Sequence, residues 1–205
     1  MSGAAIYLAS RSPRRRELLA QVGVRFEPLL FREGARADAD TNEDPFPGEH
    51  PDDYVRRVTR LKAEAGWERV LSRRGLARKP VLAADTTVAL ANEILGKPAH
   101  REDAARMLRL LAGTRHRVLT AVAVAFEDRF EMRVSESLVT FAPLDETRIA
   151  AYVASGEPFD KAGGYGIQGR AAAFIERLEG SYTGVMGLPL FETCALLRDF
   201  GVSVP

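Results

Sequence analysis

"FDKAGGYGIQGR", Phe159–Arg170, separates two possible folds. Gly164, Gly166 and Gly169 spell G-x-G-x-x-G, the spacing of a dinucleotide-binding turn. That turn joins a strand directly to a helix in a parallel sheet, with an acidic residue about 20 residues further on. The neighbours here do not fit. "DETRIAAYVASG" precedes the stretch and reads as a helix, capped by Asp145 and closed by Gly156. "GEPFDKAG" intervenes as loop, and "AAFIERLEG" beyond it reads as a strand. Glu192 lies at the right distance but inside the last helical pattern, "PLFETCALLRDFG". The glycines are therefore a pattern in letters. Asp160, Lys161, Tyr165 and Gln168, packed among them, are better candidates for touching a ligand that the bare backbone lets approach.

Outward from this loop, the chain alternates elements of both kinds. "AIYLA" is a short buried strand. "SPRRRELLAQVG" is a helix with Ser12 as N-cap, Pro13 at its first position and Gly23 at its end. "VRFEPLLF" is a strand interrupted by Pro28. Residues 32–52 are acidic and rich in Pro and Gly, as in a loop or flap. From Asp52 to about Leu71, Val55, Val58, Leu61 and Ala65 recur at helical spacing. "PVLAADTTVAL" is apolar on both faces, as in a central strand, and turns through "ANE" into "ILGKP". "REDAARMLRLLAG" is a helix with acids first and Gly113 last. "HRVLTAVAVAFED" and "FEMRVSESLVTFAPL" are long strands joined as a hairpin. The fold class expected is α/β, a mixed central sheet flanked by helices, in one domain over residues 1–205.

The 205 residues are 46% hydrophobic and 28% charged, with a net charge of +1. That balance suits a soluble core and excludes a general polyanion binder, so any phosphate site must be local. Cys194 is the only cysteine and sits in an apolar helical run, where it reads as a buried small hydrophobe. No stretch approaches the ~18 apolar residues of a membrane span. A cytoplasmic, reducing location is expected. His50, His100 and His116 have no zinc-ligand spacing.

Two features resist a purely structural reading. Arg14, Arg15 and Arg16 crowd the first turn of a helix, where the dipole is already positive. Arg16 fits a solvated surface charge. For Arg14 and Arg15 an anion offers an explanation: backbone N–H groups, guanidinium forks and the Ser10 and Ser12 hydroxyls together form a phosphate site. Asp85 interrupts an apolar strand, which is costly unless the carboxylate is paired, hydrogen-bonded or metal-bound. It is a structural strand-end carboxylate, or a base or metal ligand at a strand end. Thr86 points to the opposite face. Lys62 within a helix and Lys97 in "LGKP" say little alone.

Together "LASRSPRRRELL", "DDYVRRVTRLKAEAG", "AADTTV", "GKP", "DKAGGYGIQG" and "GSYTGVMGLPL", spread over nearly the whole chain, resemble the Maf family of nucleoside triphosphate pyrophosphatases. The resemblance implies hydrolysis of a nucleoside triphosphate to monophosphate and pyrophosphate with Mg²⁺ or Mn²⁺. It also implies a fold like that of the inosine-triphosphate pyrophosphatases, with a cleft between two lobes, a homodimer, a housecleaning role and a link to cell division. "DKAGGYGIQG" looks like the dTTP/UTP branch, with modified pyrimidine nucleotides as further substrates. By motif position Asp85 is similar to the family's proton acceptor. Arg14, Thr86 and Gln168 match its specificity positions. Ser10, Arg15, Lys62, Lys97 and Lys161 are the expected phosphate contacts. The family's metal-binding acid falls in the 32–52 loop, at Glu33, Asp40 or Glu43. Glu43, with Asp85, is the expected metal-binding pair.

Two other functions compete. One is a non-catalytic nucleotide-binding regulator of cell division with the same fold, separated from the enzyme by a metal-dependent assay for pyrophosphate. The other is a nucleic-acid binder using Arg14–Arg16, against which the net charge of +1 and the lack of a broad basic face both argue.

Overall fold

The computed structural model describes residues 5–29 and 42–204. Glu33 and Asp40, with the rest of residues 32–41 of the acidic loop, lie outside them. The elements in chain order are β1 (Ile6–Leu8), α1 (Pro13–Gln21), β2 (Phe26–Pro28), α2 (Pro51–Ser72), β3 (Val81–Leu90), β4 (Glu93–Leu95) and α3 (Arg101–Leu111). They continue with β5 (Arg115–Phe126), β6 (Arg129–Phe141), α4 (Glu146–Ala154), β7 (Ile175–Glu179), α5 (Tyr182–Met186) and α6 (Leu190–Asp199). Short 3₁₀ turns at Glu157–Asp160, Ala162–Gly164 and Arg170–Phe174 carry the glycine loop.

The strands form a single sheet in the order β2-β1-β3-β5-β6-β7, with β4 paired to the far end of β3 on the side it shares with β1. β1 is parallel to both β2 and β3, whereas the pairs β3–β5, β5–β6 and β6–β7 are antiparallel. The sheet is therefore mixed, as the sequence implies. The hairpin turns at Glu127, which takes φ +56°. Two details differ from the sequence reading. "AAFIERLEG" begins as a 3₁₀ turn and becomes strand only at Ile175. "SYTGVMG" forms α5, a helix of 5 residues, too short for hydrophobic periodicity to register. Its signals are local: Ser181 caps Gly184 N–H, and Gly187 leaves the helix with positive φ.

Alternation along β3 sorts the helices into two layers. Odd-numbered residues Val81, Ala83 and Ala89 meet α2, through Ala63, Trp67 and Val70 at one end and Val55 at the other. Even-numbered Leu82 and Ala84 meet α1 and α6, while Val88 meets α3, α4 and the glycine loop. On this second face the two apolar clusters are divided by a polar seam. Thr86 Oγ1 lies 3.0 Å from Thr120 Oγ1, which donates to the Gly184 carbonyl of α5.

β3 is continuously paired with β5 from Val81 to Ala89. Its other side is shared. β1 pairs with Val81 and Leu82, and β4 pairs from Val88 to Leu90. Between them, among the described residues, no strand covers residues 83–87 on that side. Asp85 and Thr86 sit in this gap. It is also where pairing changes from parallel to antiparallel, the kind of switch point at which open α/β sheets bind ligands.

One buried contact ties the glycine loop to the sheet. His116 Nε2 on β5 lies 2.8 Å from the Tyr165 hydroxyl, and both rings pack edge-on against Phe141. Burial pulls the imidazole down to a pKa of about 4, so at neutral pH it is uncharged. Its folded value lies below its unfolded one. The unfolded chain therefore binds a proton between roughly pH 6.5 and 4 that the folded chain refuses, and stability falls as pH drops through that window. The loss from this group reaches about 3 kcal/mol at pH 4. Urea unfolding at pH 7, 5.5 and 4.5 should show a steeper decline for the native chain than for His116→Leu. Parallel declines would contradict the burial argument.

Candidate active site

The site is built around the gap in β3. Asp85 is 8% exposed and faces α2. Its Oδ1 accepts from Lys62 Nζ at 2.8 Å, and the same ammonium lies 2.9 Å from Glu43 Oε2. Lys62 reaches this point because α2 lies close on the sheet. One turn further along α2, a Cβ on Gly66 would come within 2.7 Å of Val81 Cγ1, so no larger residue permits that approach.

Glu43 is held by its backbone. Arg57 of α2 donates to the Asn42 and Asp44 carbonyls, both at 3.0 Å, and Tyr54 donates to the Glu43 carbonyl at 2.9 Å. Arg57 also grips Glu49 through two bonds and lies 4.0 Å over the Phe46 ring. The Arg57 guanidinium holds the Glu49 carboxyl below its ordinary range. Sequence reading gave Arg57 and Tyr54 no role, because polar residues of a long amphipathic helix look like any solvated face.

On the opposite face of β3 stands Arg15. Its Nε donates to the Gly187 carbonyl at 2.7 Å and its Nη1 to the Ala84 carbonyl at 2.7 Å and Ser10 Oγ at 3.2 Å. Nη2 donates to Thr86 Oγ1 at 3.2 Å. Four of the five guanidinium donors are thus engaged within the protein. One remains for an anion. Burial lowers the Arg15 pKa, and nearby Asp85 opposes that shift. Ser10 is likewise buried, and its Oγ also accepts from Ser12 N–H. Ser12 caps α1 through Arg15 N–H, and Arg16 is exposed.

The third group comes from the glycine loop. Arg14 Nη1 pairs with Asp160 Oδ2 at 2.9 Å, and Lys161 pairs with the other Asp160 oxygen and the Glu157 carbonyl. Burial raises the Asp160 carboxyl, but the bonds from Lys161 and Arg14 outweigh it, and its pKa lies below the ordinary range. Asp160, a candidate ligand contact by sequence, is instead the partner of Arg14, a pairing across 146 residues that leaves no local pattern. Gln168 and Lys97 are exposed. Lys97 follows Gly96, whose carbonyl accepts from Gly163 N–H at 3.0 Å, so its turn is stitched to the glycine loop.

The fingerprint glycines have packing reasons. A Cβ on Gly166 would meet the Lys161 side chain at 2.8 Å, and one on Gly169 would meet Glu157 Oε1 at 2.1 Å. Glu157 is the post around which the loop winds, accepting from the Tyr152 hydroxyl and from Arg170 N–H.

Asp85, Lys62, Glu43, Arg15, Ser10 and Thr86 thus meet at one gap, while Arg14 and Lys161 are brought together by Asp160. Among the described residues there is no group of three or more His, Cys, Asp or Glu placed to hold a metal ion. Glu43 and Asp85 nevertheless converge on one positive charge, and two carboxylates around a compact cation are a donor set suited to a hard divalent ion. No helix of the described residues is long and apolar enough to cross a membrane.

A mixed α/β sheet whose switch point gathers carboxylates and cations in this way suits a polyphosphate ligand with a divalent ion. A model of the Maf-like protein family matches residues 5–200. The chain belongs to the Maf family. A protein of Aromatoleum aromaticum named dTTP/UTP pyrophosphatase is 59% identical over 199 residues, covering 97% of this chain and 96% of its own. One of the same name from Nitrosomonas europaea is 54% identical over 203 residues, covering 99% and 98%. The Cupriavidus metallidurans protein of that name is 58% identical over 197 residues, covering 96% and 97%. Among solved structures, the Staphylococcus aureus Ham1 protein aligns with 66% of this chain and 70% of its own at 19% identity and a TM-score of 0.40.

Proposed function

We infer that this chain hydrolyses dTTP and UTP to the monophosphate and pyrophosphate, its residues 1–205 acting as one unit. The observation that carries the reading is the near-buried Asp85 in the strand gap, with cations on both faces of β3. A nucleoside triphosphate carries about four negative charges, and attack on it needs those charges offset. Arg14, Arg15, Lys62, Lys97 and Lys161 supply positive charge, and Ser10 supplies a hydroxyl. Asp85 orients a water and accepts its proton. The water oxygen then bonds to the α-phosphorus, the bond from the α-phosphorus to the bridging oxygen breaks, and pyrophosphate leaves with that oxygen. Glu43 and Asp85, with phosphate oxygens, would hold Mg²⁺ or Mn²⁺, which supplies charge neutralisation and a more acidic water. The active form is a homodimer in the cytoplasm.

Gln168, exposed in the loop, reads the base. Its amide presents a donor and an acceptor, as does the edge of uracil or thymine. A panel of nucleoside triphosphates assayed with Mg²⁺ and Mn²⁺ should give pyrophosphate chiefly from dTTP and UTP. Gln168→Ala should reduce the preference for them over purine triphosphates by about 10- to 100-fold in kcat/KM, the value of one or two polar contacts. Equal turnover of purine and pyrimidine nucleotides by the native protein would overturn the assignment, and unchanged selectivity in the variant would remove Gln168 as the reader.

A further inference from the structure

Lys62 has been given two partners that it cannot serve at once. As a phosphate contact it must face the nucleotide. In the structure it lies between Asp85 Oδ1 and Glu43 Oε2, at 2.8 and 2.9 Å, with its side chain 14% exposed. Those two carboxylates are also the pair that would hold a divalent ion. An ammonium at this point neutralises them and repels a second cation arriving at the same oxygens.

We propose that Lys62 is a resident counter-ion which the divalent metal must displace, so that metal enters the Glu43–Asp85 pair together with nucleotide and not ahead of it. The inference rests on the reading of the site as a nucleotide pyrophosphatase.

Three observations support it. First, among the described residues no further His, Cys, Asp or Glu joins Glu43 and Asp85 to complete a metal shell. A hard divalent ion takes about six oxygen ligands, so phosphate oxygens and water must supply the balance. Metal alone gains little by evicting the ammonium. Second, Lys62 is a point charge on a flexible four-carbon stem, able to swing while α2 stays fixed. Third, α2 is fixed at both ends of the site, by the close approach at Gly66 and by the Arg57 and Tyr54 bonds to the Glu43 segment. The carboxylates therefore stay in place when the ammonium leaves. The exchange keeps every charge paired: the ammonium passes to phosphate oxygens, and the metal takes the carboxylates. By linkage, whatever draws Lys62 away raises metal affinity.

The test uses Mn²⁺ alone, without nucleotide, followed by the electron paramagnetic resonance of the free ion. It is therefore independent of which nucleotide is hydrolysed, and a failure here is distinct from a failure of the dTTP/UTP reading. The native protein should bind Mn²⁺ weakly, with Kd of about 1 mM or more, as expected of a site lacking most of its ligands. Lys62→Met removes the charge at similar size and should tighten Mn²⁺ binding at least ~10-fold. Adding Glu43→Gln to that variant should abolish the gain. Lys62→Arg keeps a cation and should bind as weakly as the native chain. Tight binding by the native protein, with Kd near 10 µM or below, would overturn the proposal. So would a folded Lys62→Met that binds no better than native. If Lys62→Met does not fold, the native and Lys62→Arg measurements still decide, because tight binding by either overturns displacement and weak binding by both supports it.

Discussion

Asp85→Asn is expected to slow pyrophosphate release from dTTP by about 10³- to 10⁴-fold in kcat, the upper range for losing a positioned proton acceptor. The substitution keeps the shape of the side chain and one oxygen to accept from Lys62, which now bonds Asp85 at 2.8 Å. Glu43 remains beside the ammonium at 2.9 Å, so no charge is left unpaired. The melting temperature should therefore move by no more than about 4 °C, the shift that ~1 kcal/mol produces in a protein of this size. KM should change far less than kcat, because the proposed phosphate contacts Arg14, Arg15, Lys97 and Lys161 do not bond Asp85 and Lys62 keeps its charge. The decisive comparison is steady-state pyrophosphate release beside a thermal melt. A variant that folds and retains native kcat would exclude Asp85 as the proton acceptor.

The second large effect falls on folding. Gly163 takes φ +67°, where a side chain is strained. A Cβ there would stand 2.9 Å from Cβ, Cγ1 and Cγ2 of Val88. Val88 is a β-branched residue in the central strand, 3% exposed, and it cannot turn aside. Strain and overpacking together should cost Gly163→Ala about 3 kcal/mol, or roughly 6–12 °C in melting temperature. The same change pushes the glycine loop off the sheet. Gly163 N–H loses its bond to the Gly96 carbonyl, and Lys161, Gln168 and the Lys97 turn lose their common anchor. KM for dTTP should rise in whatever fraction still folds. A melting temperature within 2 °C of native would mean that the loop can relax away from β3 at little cost.

Much of this architecture was open to reading from local chemistry. Ser12, Pro13 and Gly23 bracket α1 because capping depends on a few adjacent residues. The long apolar spacing of α2 and the double-sided apolar run of β3 follow from periodicity. Asp85 stands out because a carboxylate in such a strand needs a partner. The partners themselves were hidden. Nothing near Lys62 in the chain marks it as bridging Asp85 and Glu43, and nothing near Arg14 marks Asp160. Such contacts depend on how α2 and the glycine loop dock onto the sheet. The resemblance to the family placed a metal-binding acid in the 32–52 segment. Of those candidates Glu43 lies among the described residues, and the grip of Arg57 and Tyr54 on its backbone is disclosed only by three-dimensional proximity.

The gap in β3 has a consequence beyond catalysis. A strand with unclaimed carbonyls offers a template on which another chain can add a strand and begin to aggregate. Here the strand-free rung is buried and closed by a side chain: Arg15 Nη1 takes the Ala84 carbonyl at 2.7 Å, as a neighbouring strand's N–H would. A guanidinium can fill that place without being a strand, so the sheet stays open to a small ligand yet shut to a polypeptide. The proposed substrate site and the guard against self-association thus depend on the same residue.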